Sequence, residues 1–187
     1  MSHGAFHVPS PKNEPVRAYA PGSPERASLK AKLDEMASSQ VEVPLIIGGR
    51  EIFAGDTKDM VMPHDHGHVL GKFHRAQPEH VKLAIDAATE ARAAWQALPW
   101  EERASIFLRA AELLAGPWRD TVNAATMLNQ SKTVHQAEID SACELIDFYR
   151  YNPRFMERLY AEQPESADNC WNRVEHRPLD GFVFRIT

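Results

Sequence analysis

Three carboxylates, Asp140, Glu144 and Asp147, recur four and then three residues apart in the stretch Ser131–Asn152, SKTVHQAEIDSACELIDFYRYN. Read as one long helix, that spacing gathers them on one face. Two readings follow: a solvated acidic face, or a face from which one carboxylate looks into a site completed by another segment. Like charges at this spacing repel by about 0.2–0.5 kcal/mol per pair on an isolated helix. An Asp147–Arg150 contact is the one local offset in view.

A second cluster is Pro63-His64-Asp65-His66-Gly67-His68. On an extended chain alternate histidines share a face, and imidazole nitrogen is a common zinc or copper ligand. Pro63, Asp65 and Gly67 are turn formers that splay the three rings, so no metal site is expected. Cys143 and Cys170 are the only cysteines. Cys143 lies beside an apolar stripe, where a small core residue is the default, and Cys170 lies in the polar segment ADNCWNR. Neither is expected to be a nucleophile, and both are expected free.

The whole chain has 187 residues, 43% hydrophobic and 25% charged, which suits one globular domain with a real core. A formal charge of −5 argues against a nucleic-acid partner. No window approaches the roughly 20 apolar residues of a membrane helix, and no apolar secretory core opens the chain. The expected location is cytoplasmic, or the mitochondrial matrix in a eukaryote. Glu14, Glu25 and repeated prolines make the opening a poor transit peptide.

Several elements must position these groups. Residues 1–40 read as an irregular segment with a short helix, Ser23 its N-cap and Pro24 its first residue, edged by Leu29, Leu33 and Met36. Val41–Ile47 is strand-like, Gly48-Gly49 supplies a two-residue hairpin turn, and Arg50–Ala54 returns. From Gln77 a helix runs to Ala97 with Val81, Ile85, Ala88 and Trp95 as its buried stripe. Pro99 breaks it, and the next helix lines its apolar face with Ile106, Ala110 and Leu113 until Gly116-Pro117. Trp118, Val122 and Ala125 start a third, ending near Asn129. Ile139, Ala142, Ile146 and Tyr149 form the apolar stripe of the fourth, which Arg154–Ala161 prolongs. Glu162–Asn172 is a loop or exposed strand. Gly181–Ile186 reads as a short buried strand of a parallel sheet, and such a strand with no helix after it signals an interrupted fold.

QSKTVHQAEIDSACELIDFYRYN resembles the corresponding helix of the aldehyde dehydrogenases, above all the branch acting on pyrroline-5-carboxylate, whose open form is L-glutamate γ-semialdehyde. PLIIGGREI (Pro44–Ile52), PHDHGHVLGKFHRA (Pro63–Ala76), RASIFLRAAELLAGPWR (Arg103–Arg119) and RPLDGFVFRIT agree in order and spacing. The resemblance runs from about Val41 to the last residue and covers the opening third of such an enzyme. It implies an α/β fold, aldehyde dehydrogenase-like and N-terminal part only: a β-hairpin and strands plus about four helices, ending at the first strand of the cofactor-binding sheet. Residues 41–161 would belong to the NAD-binding domain, 162–180 to the start of an oligomerisation flap, and 181–187 to that first strand, truncated.

The family's chemistry needs a cysteine thiolate, an oxyanion-holding asparagine, NAD as hydride acceptor and a glutamate-assisted water. The matching stretches contain none of the catalytic three, so the chain alone is expected to be inactive and not to bind NAD by itself. By position, Glu144 matches a glutamate beside the family's aldehyde tunnel, a substrate-side role. Thr187 matches a serine or threonine bordering the nicotinamide cofactor. Phe184-Arg185 departs from the small residues expected there, and an unpaired Arg185 in a buried strand would cost several kcal/mol. The resemblance thus implies part of an NAD-dependent oxidoreductase of proline breakdown, with a small-molecule aldehyde as substrate. The alternative is a non-catalytic module that binds a protein partner, or a second copy of itself, through apolar faces.

Overall fold

The computed structural model describes residues 6–186. Phe6 to Ala20 has no regular element. Helix α1 (Pro24–Ala37) then starts as its sequence dictates, with Ser23 Oγ accepting from the Arg26 amide and proline at its first position.

Five short strands follow: β1 (Val41–Val43), β2 (Leu45–Ile47), β3 (Arg50–Ile52), β4 (Thr57–Met62) and β5 (Asp65–His74). The single strand expected over Val41–Ile47 is two, because Pro44 has no amide to donate and divides it. β2 and β3 form the antiparallel hairpin, closed by Gly48 and Gly49 at φ of 58° and 74°, angles that favour glycine. β1 instead pairs in parallel with β5, which pairs antiparallel with β4, giving the order β1-β5-β4. Gly71 permits that close pairing: a Cβ there would meet the Val41 carbonyl oxygen at 2.0 Å.

Helices α2 (Pro78–Ala97), α3 (Trp100–Ala115) and α4 (Arg119–Gln130) come next. The last helical stretch is continuous but not uniform: α5 (Val134–Ala137), a π-helical turn (Glu138–Cys143) and α6 (Glu144–Ala161). It passes through Pro153 without ending. The core forms three small clusters, of Tyr19, Leu29 and Ala124, of Met62, Leu70 and Leu128, and of Ala111, Ala142 and Ile146.

Four further expectations are corrected. The α2 stripe is not covered: the helix has no buried residue, and Val81 and Trp95 are 53% and 41% exposed. On α3 the buried face is Ala104 and Ala111, while Ile106 is half exposed, because that face meets α6. Trp118 is 54% exposed, and α4 buries Arg119, Asn123, Ala124, Thr126 and Leu128 instead. Gly181–Ile186 forms no strand, and Val183, Phe184 and Ile186 are largely exposed with Arg185 among them. Parallel strands are stable only when neighbours cover both faces, and no described strand pairs with this one.

Candidate functional site

A cleft of about 900 Å³ opens between the end of α2, the start of α3 and the exposed side of α6. Trp95, Phe107, Phe148 and Tyr149 give it aromatic walls, Arg103 and Arg185 bring positive charge, and Asp140 and Glu144 bring negative charge. Such a lining suits a small polar organic molecule, with apolar surface for its body and charges for its ends.

The three carboxylates of the acidic face do not share one fate. Asp140 pairs with Lys132 Nζ at 2.6 Å. Asp147 turns the other way, accepting from Asn13 Nδ2 at 2.6 Å and the Glu14 amide at 2.7 Å. Arg150 does not meet Asp147; it bonds Glu14 at 2.7 Å and Glu112 at 3.2 Å. Glu144 is exposed in the cleft and has no hydrogen-bonded or ion-paired side chain among the described residues. It follows directly on the π-helical turn, and such turns occur frequently at functional sites.

Beneath that turn lies a polar centre that sequence reasoning missed. Glu138 is fully buried and pairs through both oxygens with the equally buried Arg119 of α4. The Arg17 amide, the Tyr19 hydroxyl and Asn123 Nδ2 each donate to Glu138 at 2.8 Å. Burial alone would raise the Glu138 pKa, but these donors outweigh it and hold the carboxyl below its ordinary value. Burial likewise pulls Arg119 down, and its bonds to Glu138 and Glu14 outweigh that and raise it. Tyr19 is pushed up to about 12 by burial and by its bond to the Glu138 carboxylate. A signal was available: Glu138 lies four residues before Ala142 on the apolar stripe, and a charge there requires a buried counter-charge.

The thiols fall as expected. Both are free; Cys143 is buried and Cys170 exposed. Burial and the Glu138 charge push the Cys143 thiol up to about 11, which suits a packed thiol and not a nucleophile. The histidines engage separately, His64 with Ser131 Oγ at 2.7 Å and His68 with the Ala37 carbonyl at 2.8 Å. Thr187 lies outside the described residues. The described segment leading to it forms no paired strand.

The order of elements, with a helix that turns a carboxylate unpaired among the described residues into a half-open cleft, is that of the N-terminal part of an aldehyde dehydrogenase-like fold. The aldehyde dehydrogenase family model matches residues 53–187, and the chain belongs to that family. Within it the chain is similar to proteins named delta-1-pyrroline-5-carboxylate dehydrogenase. It is 49% identical over 184 residues to that of Agaricus bisporus, covering 97% of this chain and 34% of that one. It is 41% identical over 189 residues to the one from Dictyostelium discoideum, named mitochondrial, again covering 34% of it. The crystal structure of the Mycobacterium tuberculosis delta-pyrroline-5-carboxylate dehydrogenase bound with NAD and cobalamin superposes with a TM-score of 0.94 at 49% identity, covering 97% of this chain and 34% of that one. The chain thus spans about a third of the length of the curated relatives it matches. Among the described residues no helix is long and apolar enough to cross a membrane.

Proposed function

We propose that these residues supply one wall of the aldehyde-binding cleft in an NAD-dependent oxidation of L-glutamate γ-semialdehyde to L-glutamate. Glu144 is the substrate-side group of that wall. The observation that carries this reading is the contrast among the carboxylates: Asp140 and Asp147 are engaged, while Glu144 faces the cleft with no partner among the described residues. A carboxylate held so can orient a polar aldehyde against aromatic walls. NAD binding, the thiolate and the oxyanion donors belong to the complete enzyme, in the cytoplasm or the matrix of a eukaryotic mitochondrion. The likeness to relatives named for pyrroline-5-carboxylate supports this reading.

The purified chain mixed with NAD and pyrroline-5-carboxylate should give no rise in NADH absorbance; enzyme-like turnover would refute the proposal. Joined to the remaining two thirds of the Agaricus bisporus relative, the chain should support turnover, and Glu144→Ala should then lower kcat/KM by about tenfold or more, as expected for a lost orienting contact. An equal loss from Asp140→Ala would refute the assignment of the role to Glu144.

The uncovered faces favour a second reading, a non-catalytic module that binds a protein or another copy of itself. Val81, Trp95, Phe184 and Ile186 are all more than two-fifths exposed, more than scattered surface residues account for. A monomer by size exclusion that binds no hydrophobic dye would count against it.

A further inference from the structure

Residues Phe6 to Pro15 lie along helix α6, antiparallel to it, with no backbone hydrogen bond to any strand. Three main-chain amides of this segment and its continuation meet three carboxylates of the helical stretch. Val8 N–H donates to Glu157 at 3.0 Å, Glu14 N–H to Asp147 at 2.7 Å, and Arg17 N–H to Glu138 at 2.8 Å. As the strap number rises from 8 to 17, the carboxylate number falls from 157 to 138. Glu14 is the pivot, bonding Arg119 of α4 with one oxygen and Arg150 of α6 with the other. The Pro15 carbonyl accepts from Arg119 Nη2 at 2.8 Å and lies 4.0 Å from the Cys143 sulfur.

The two ends of this arrangement differ. Tyr19 is buried in the core cluster with Leu29 and Ala124, so the chain is fixed there. Between Phe6 and Pro15 the only buried residue is Val8; the remaining tethers are polar, the Glu14–Arg119 pair lying inside and those of His7 and Asn13 at the surface. Segments with few buried apolar contacts open locally at a fraction of the global unfolding free energy. Pro9, Pro11 and Pro15 restrict the released chain to extended forms, which lowers the entropy lost on closing again.

We infer that residues 6–15 are a detachable strap on the last helix, latched by Glu14 between Arg119 and Arg150, whose release uncovers the Cys143 thiol while the fold beneath stays closed. The hinge lies between Pro15 and Tyr19. When the strap lifts, Arg119 keeps Glu138 as its counter-charge, so opening strands no buried ion. Glu157 and Asp147 pass into solvent, and the already exposed His7 ring leaves Glu157, which it bonds at 2.8 Å. This inference does not depend on the catalytic role proposed for Glu144.

The test uses the full chain carrying Cys170→Ser, so that Cys143 is the only thiol. Iodoacetamide labelling is followed by mass spectrometry, and helix content by circular dichroism. Glu14→Gln should raise the labelling rate of Cys143 by about tenfold with helix content unchanged, since labelling tracks the open population. Hydrogen exchange of the chain without the Glu14 change should show the Val8 and Glu14 amides exchanging at least about tenfold faster than that of Arg17. Equal protection of the three amides would overturn the inference, even if the Glu14 variant failed to fold. So would Cys143 labelling that rises only in step with loss of helix across a urea series.

Discussion

Arg119 and Glu138 face each other at 1% and 0% side-chain exposure, joined at both carboxylate oxygens, with α4 on one side and the π-helical turn on the other. A buried pair of this kind contributes little net stability beside a well-packed apolar pair, because desolvation offsets the attraction. Losing Arg119 is different, since Glu138 is left as an uncompensated buried charge, whereas losing Glu138 leaves Arg119 with Glu14 alone. Arg119→Ala should lower unfolding free energy by about 3–5 kcal/mol in urea titrations, and Glu138→Ala by less. The combined Arg119→Met, Glu138→Leu chain should lose less than the sum, because neither partner is stranded.

The same carboxylate sets the acid limb of stability. Glu138 and Glu157 both titrate below their ordinary values when folded, Glu157 at about 2, held first by its bond to His7 and then by Arg154 and the Val8 amide. A depressed folded value means the stabilisation is complete above the unfolded pKa and is lost as pH falls through the folded one. Stability measured from pH 5 down to pH 2 should therefore fall, and Glu157→Gln should flatten part of that fall.

On the alkaline side the sign reverses. Tyr19 and Cys143 are raised to about 12 and about 11, so the unfolded chain releases these protons first. Their contribution is whole below the unfolded values and disappears as pH climbs through the folded ones. Unfolding midpoints should drop between about pH 9 and pH 12, and Cys143→Ala together with Tyr19→Phe should remove most of the drop.

How much of this was legible in the sequence depended on whether the signal was local. Ser23-Pro24 and Gly48-Gly49 act within a few residues, and the cap and the hairpin formed where those pairs stand. The long helix was legible from its period, including the buried Ala142 and Ile146. The π-helical turn was not, because nothing in the helical period marks it, and the buried Glu138 that opens it is bonded to a residue of another helix. The faces of α2 and α3 were misread for a related reason. Apolar residues at helical spacing mark a face that wants cover, and on α2 the described residues leave it open. The cleft is a tertiary feature, and only Glu144 within it was anticipated, through family resemblance.

Gly71 gives a sharp test of the mixed sheet. Its missing Cβ would lie 2.0 Å from the Val41 carbonyl oxygen and 2.8 Å from the Val41 nitrogen, both of them backbone atoms that cannot swing aside. Gly71→Ala should therefore separate β1 from β5 and lower stability by about 1–3 kcal/mol, the usual range for overpacking. Gly67→Ala, on the same strand with its nearest neighbour 3.5 Å away, should change little and serves as the control.

The uncovered stripe on α2 makes an opposite prediction. A buried Val81 would be costly to replace, whereas at 53% exposure it has little burial to lose. Val81→Ser should thus alter unfolding free energy by no more than about 0.5 kcal/mol, as surface changes do. The same change should reduce binding of a hydrophobic dye, because Val81 borders a shallow apolar depression shared by Ile46, Ile85 and Phe184. A large stability loss would mean that this face is packed in solution, with the terminal Phe182–Ile186 segment or a second copy of the chain as its cover. Repeating the measurement over a range of protein concentrations separates those two, since only a second copy makes the loss depend on concentration.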